Sequence, residues 1–290
     1  MHAASPHLRK TPSIAILVAV ITAALAAALG TVPARAQADV APTASIPAPT
    51  PDAAMPPDQL WRMVHERCAQ AAAQQRYPPR PCIEVDDGRD PTHGYAVLKD
   101  IKGPTQYLLI PLARISGIES PALLARGATN YFAKAWTARM YVEAALHRPL
   151  PREDIALAVN SAHGRTQDQL HIHIDCIRPD VRAALARMRA TIGTRWAPLP
   201  APLPPFGHAY RARRVDGASL ALNPFQSLAA ALPAGDRMGQ HTLVVVGAHS
   251  ASGTPGFILL DGRLDPARDD QASGDELLDH ACTVVGGDPR

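Results

Sequence analysis

Hydrophobic and polar positions alternate along QLHIHIDCI, residues 169–177. Successive side chains of a strand point to opposite faces, so this period sets His171, His173 and Asp175 on one face and aliphatic residues on the other. The same β signature marks GYAVLKD (94–100) and TQYLLIPL (105–112), which a Lys102-Gly103-Pro104 turn joins into a hairpin. IALAVNS (155–161) reads as a strand that leads through the polar loop AHGRTQD into 169–177. HTLVVVGAH (241–249) and GFILLDG (256–262) read as a further hairpin across Ser252-Gly253-Thr254-Pro255.

Helical spacing appears between these strands. Leu60, Trp61, Val64 and Cys68 form an apolar stripe in a helix that Asp58 caps and that runs to about Gln75. Ser120 at N-cap and Pro121 at N1 open a long helix to about Leu146. Pro179-Asp180 starts another through about Met188, and Asp275 to His280 forms a short one. The order helix, hairpin, long helix, hairpin, helix describes an α+β domain on an antiparallel sheet, with residues 191–290 a β-rich C-terminal extension packed on a core of 58–190.

Composition refines this picture at the N-terminus. Arg9 and Lys10 precede an uncharged run, Ile14 to Gly30, and Ala34 and Ala36 then fit a signal-peptidase site. The run is short for a spanning helix of about 20 apolar residues and long for a cleaved signal, so residues 1–36 are a signal peptide or an N-terminal membrane anchor. Either one exports the rest of the chain, and residues 37–57 are an Ala/Pro-rich linker. Cys68, Cys82, Cys176 and Cys282 then lie in an oxidising compartment, which favours two disulfides. Three connectivities exist, of which Cys68–Cys82 with Cys176–Cys282 is the expectation adopted. The net charge is only +3, and there is no dense basic stripe with interleaved aromatics. No nucleic-acid partner is expected.

The alternating histidines admit three readings: a polar strand edge, a metal site or a nucleophile. Three ligands on one straight strand span roughly 13 Å, too far for one tetrahedral ion. A metal would therefore need a distant ligand such as His93 or His163. A neutral histidine held through one ring nitrogen can attack phosphorus with the other. The upstream loop supplies amides, hydroxyls and Arg165 to meet oxyanion charge.

AVNSAHGRTQDQLHIHID resembles the signature of the histidine triad (HIT) superfamily, in which three histidines alternate with hydrophobic residues. The family's Asn lies seven residues before a Gln, which lies four before the first His, and Asn160, Gln167 and His171 reproduce both gaps. YAVLKDIKGPTQYLLIPLARISGIES resembles the family's hairpin, whose Asp contacts the nucleotide ribose, and Asp100 holds that place. The resemblance covers roughly residues 58–180 and implies a HIT-like antiparallel sheet with packed helices. It makes His173 the nucleophile, with His171 orienting it or its phosphate. Asn160, Gln167, Asp100 and Arg165 become substrate-binding candidates. The family's third histidine is Asp175 here, as either an acid or an orienting group.

The export signal, the C-terminal extension and the form GRTQDQLHIHIDC narrow the resemblance to the bacterial CDP-diacylglycerol pyrophosphatases. That implies hydrolysis of CDP-diacylglycerol to CMP and phosphatidate at the inner membrane, with the catalytic domain on the periplasmic side and no metal or cofactor. Two other classes stay open. One is an exported hydrolase or transferase acting on soluble nucleotide diphosphate derivatives, and the other is a non-catalytic nucleotide- or lipid-binding module.

Overall fold

The computed structural model describes residues 55–286 apart from Arg89 and Ala251. The expected signal or anchor, residues 1–36, and almost all of the linker lie outside the described residues. Among the described residues no helix is long and apolar enough to cross a membrane.

The fold is α+β, built on one antiparallel sheet. Its strands are β1 Glu84–Asp86, β2 Tyr95–Lys99, β3 Tyr107–Pro111, β4 Ile155–Val159, β5 Ile172–Ile177, β6 Ala197–Pro198, β7 Tyr210–Asp216, β8 His241–His249, β9 Pro255–Arg263 and β10 Leu278–Asp279. The order across the sheet is β1-β2-β3-β5-β4-β8-β9-β7-β6, with β10 also paired to β5. The expected C-terminal hairpin, β8–β9, does not found a separate sheet. It continues the first one, because β8 pairs with β4 (Ala158 opposite Val244).

The two-residue period of β5 decides its neighbours. Ile172, Ile174 and Cys176 enter the main core with Phe132, Trp136, Phe225 and Phe257. Burying each isoleucine there contributes about 1.5–3 kcal/mol. His173 and Asp175 point to the other face, opposite Ala158 and Ala156 of β4. Two smaller cores flank them on that face. One packs Leu60, Val64 and Cys68 against Leu98 and Leu108, and the other packs Val181, Ala184 and Leu185 against Ala156 and Val246.

One edge of β5 is shared by two strands. β3 pairs with its first half (Leu108 opposite His173) and β10 with its second half (Asp279 opposite Cys176). The strand ends therefore meet beside Asp175. The Cys176–Cys282 disulfide holds this junction, and Cys68–Cys82 ties the first helix to the segment before β1, so both expected pairings are present.

Several local expectations change. The first helix runs Gln59–Arg62, a π turn Met63–Cys68 and Ala69–Ala73. Asp58 does not cap it, because its carboxylate is taken by Arg62 Nε (2.7 Å). The long helix from Ser120 is broken. Ser120 makes no cap bond and Pro121–Leu124 is a single 3₁₀ turn, after which Gly127 turns the chain at φ +80°. The helix proper starts at Tyr131, where Asn130 accepts from the Ala133 amide, and runs as Tyr131–Ala138 and Met140–Ala145. The helix after β5, Pro179–Met188, forms as expected. Asp275–His280 is not a helix: a 3₁₀ turn, Gly274–Leu277, passes directly into β10.

The disulfides give a stability expectation. Replacing both Cys176 and Cys282 by alanine should lower unfolding free energy by about 2–5 kcal/mol, since that bridge spans a sequence separation of 106. Denaturant titration measures it. Turnover should fall alongside, because the bridge anchors residues 275–280.

Candidate active site

A cavity of about 400 Å³ opens on the β5 face. Its wall includes His171, His173, Asn160, Asp100, Lys99, Lys102 and Asp275, with Leu60, Met63, Leu98 and Leu108 on the apolar side. That volume is typical of a site for one nucleotide-sized ligand.

His173 is buried, and its ring is fixed through Nδ1. Gln106 Nε2 lies 2.9 Å from Nδ1 and Asp275 Oδ1 lies 3.2 Å from it. Gln106 Nε2 also donates to Asp275 Oδ1 (2.8 Å). Nε2 of His173 is shielded from solvent and has no hydrogen-bond partner among the described residues. Burial pushes the His173 pKa down to about 3 against the pull of Asp275, so the ring is neutral near pH 7. In the tautomer where the Gln106 amide donates to Asp275 alone, a proton on Nδ1 goes to the same carboxylate, the only acceptor of the two, and the Nε2 lone pair is free. That arrangement is the one a nucleophile needs.

Burial works against the Asp275 charge, yet His173, Lys102 and His280 hold its pKa down at about 2. Lys102 Nζ binds its Oδ2 at 2.8 Å. The Asp275 amide donates to Asn160 Oδ1 (3.1 Å), so Asn160 ties the end of β4 to the Asp275 segment. His171 donates from Nδ1 to the Gln169 carbonyl (2.7 Å), and its ring meets His173 edge-on at 4.9 Å. Burial lowers its pKa as well.

The other expected residues are placed as follows. Asp175 is fully buried, and none of its hydrogen bonds among the described residues goes to His173. Its Oδ1 accepts from the Cys176 amide (2.8 Å), and its Oδ2 is paired with His280 Nδ1 (2.9 Å). Asp100 lines the cavity and accepts from the Ile101 amide (2.6 Å). Gln167 lies on the wall, but both ends of its amide are used. Oε1 accepts from Leu60 N (2.8 Å) and Nε2 donates to Pro56 O (3.0 Å), so it caps the first helix in place of Asp58.

Arg165 is gripped by Glu119 through two bonds of 2.7 and 2.8 Å, which compensates its charge. Lys99 instead donates to the carbonyls of Asp100 and Gly103 and lies over the Tyr107 ring, and among the described residues no carboxylate pairs with its charge at the wall. His93 and His163, the distant ligands a metal would need, do not line the cavity. Arg165→Ala should act more on stability than on turnover. Its loss is expected to cost about 1–2 kcal/mol by thermal melting, moderated because Glu119 is part-exposed.

Sequence reasoning missed Gln106, Asp275 and His280. Gln106 lies two residues after the predicted turn and just before β3, and that position was a usable signal. Nothing local marks Asp275, which is separated from Asn160 by 115 residues.

Comparison with known proteins bears on this site. The family model described as CDP-diacylglycerol pyrophosphatase matches residues 55–286. A Yersinia pestis protein named CDP-diacylglycerol pyrophosphatase is 43% identical over 230 residues, covering 79% of this chain and 85% of that protein.

Proposed function

The chain belongs to the CDP-diacylglycerol pyrophosphatase family, and on that premise we propose that it hydrolyses CDP-diacylglycerol to CMP and phosphatidate through a nucleotide bound covalently to His173. The observation that carries the mechanism is the unpartnered Nε2 of a neutral, clamped His173 on the cavity wall. Nε2 attacks the cytidine-side phosphorus. A P–N bond forms, the P–O bond to the bridging oxygen breaks, and phosphatidate leaves with that oxygen.

The leaving group is a phosphate monoester whose second pKa is about 6. It departs as an anion without an obligatory proton donor, so an aspartate in place of a third histidine does not block this step. Water then attacks phosphorus, the P–N bond breaks, and CMP leaves as the water's proton passes to solvent. Lys99 supplies positive charge for the diphosphate, the role expected of Arg165 from its loop position, while Lys102 is already paired with Asp275. Asp100 receives the ribose, as the histidine-triad resemblance implies. The acyl chains extend out of the mouth, since the cavity is of nucleotide size. Two disulfides suit a body exported to the periplasm and held at the inner membrane by the N-terminal segment.

The test uses CDP-diacylglycerol labelled in the cytidine-side phosphate, in mixed micelles, with rapid acid or alkaline quench. CMP and phosphatidate should appear as the product pair, and label should be found on His173 by peptide mapping. An acid-labile, base-stable adduct is expected of a phosphoramidate. Faster turnover of soluble CDP-alcohols than of the lipid would favour the soluble-substrate reading. Absence of label during steady turnover would leave direct attack by water.

A further inference from the structure

We infer that His280 is a positioning residue of this reaction, keeping the Asp275 carboxylate aimed at His173 while itself held by Asp175; the inference rests on His173 being the nucleophile. Four side chains make a connected row. Asp175 Oδ2 and His280 Nδ1 are 2.9 Å apart, His280 Nε2 and Asp275 Oδ2 are 3.8 Å apart, and Asp275 Oδ1 is 3.2 Å from His173 Nδ1. The two oxygens of Asp275 are thus divided. Oδ1 serves His173 and Gln106, and Oδ2 faces the cations Lys102 and His280.

The surroundings hold His280 in place. Its carbonyl accepts from Thr105 Oγ1 (3.2 Å), and a Cβ at Gly103 would lie 2.2 Å from that same oxygen. Cys282, two residues on, is bridged to Cys176 beside Asp175. His280 does not line the cavity, so it acts through Asp275 rather than on substrate. The placement also accounts for Asp175. A wholly buried carboxylate is costly unless it is paired, and an imidazolium pairs it. The imidazole at this end of the site comes from 105 residues beyond Asp175.

The charges facing His280 are Asp175 from β5, Asp275 from the 3₁₀ turn, Lys102 from the β2–β3 turn and, when protonated, His173. The bond to Asp175 raises the His280 pKa above 6.5, burial opposes this, Asp275 adds to it and Lys102 subtracts. His280 is therefore a cation below its raised pKa. It loses that charge as pH rises through that pKa, and Asp275 Oδ2 then keeps only Lys102. His173, titrating near 3, contributes no step in that range.

The experiment is the kcat–pH profile on CDP-diacylglycerol in mixed micelles for the full chain, His280→Gln and Asp175→Asn, with His173→Ala as reference. Wild type should lose kcat on the alkaline side. His280→Gln should lower kcat about 10- to 100-fold with KM little changed, and its alkaline limb should vanish. Asp175→Asn should move the limb to lower pH. A His280→Gln enzyme with the wild-type kcat and limb, beside an inactive His173→Ala, overturns this inference alone. An active His173→Ala overturns the nucleophile reading itself. If His280→Gln does not fold by circular dichroism, the Asp175→Asn profile decides, and an unmoved limb there is the refuting result.

Discussion

Replacing His173 by alanine should abolish CMP release, with turnover falling about 10⁴-fold or more while the protein stays folded. The size follows from the role. His171, the imidazole beside it on the cavity wall, is also held through Nδ1, but by the neutral Gln169 carbonyl rather than a carboxylate, so its Nε2 is the weaker nucleophile. Radiometric assay of CMP release, with circular dichroism as control, checks it, and turnover within about ten-fold of wild type would sink the covalent mechanism.

The same substitution carries a pH signature. In the folded chain His173 refuses a proton until about pH 3, whereas an unfolded histidine takes one near 6.5. As pH falls from 6.5 the unfolded state binds a proton that the native state does not, so stability drops by up to about 1.4 kcal/mol per unit. The Asp275 contribution lies lower, being lost as pH falls from 3.8 towards 2. Between about pH 6.5 and 4, urea titrations of wild type should therefore show a steeper loss of stability than those of His173→Ala.

Asp275→Asn is the second large expectation, with kcat about 10²- to 10⁴-fold lower and KM little changed. Asparagine removes the charged acceptor that holds the Nδ1 proton, so the Gln106 amide or the new one can donate to Nδ1 instead. That puts the ring proton on Nε2 and removes the attacking lone pair. The substitution also strips Lys102 of its ion-pair partner. Steady-state kinetics on micellar substrate decide it. Near-normal kcat in the Asp275→Asn enzyme would show that Asp275 does not set the tautomer.

The legible part of this site was its strand. The two-residue period of 169–177 set His173 on the face away from the main core, and the gaps to Asn160 and Gln167 marked the segment as more than a polar edge. Gln167 shows the limit of such spacing, because its amide caps a helix 107 residues earlier in the chain instead of reaching His173. Asp58 and Ser120 show the same limit for caps. Each has the right residue type in the right place, and each was outcompeted, by Arg62 at one helix and by a second, better-placed start at Asn130 at the other.

Local period, turn chemistry and composition were enough for β2 to β5, β8 and β9 and for the presence of two disulfides, but not for β1, β6, β7 or β10, and the choice of His173 rests on the family resemblance. The surroundings of His173 came only with the folded chain. β3 and β10 share one edge of β5, and that shared edge brings His280 to Asp175 and sets Gln106 and Asp275 against His173. Pairing between strands so distant in the chain leaves no local pattern, since a single buried Asp or His reads the same in any sequence window until the sheet supplies its partner.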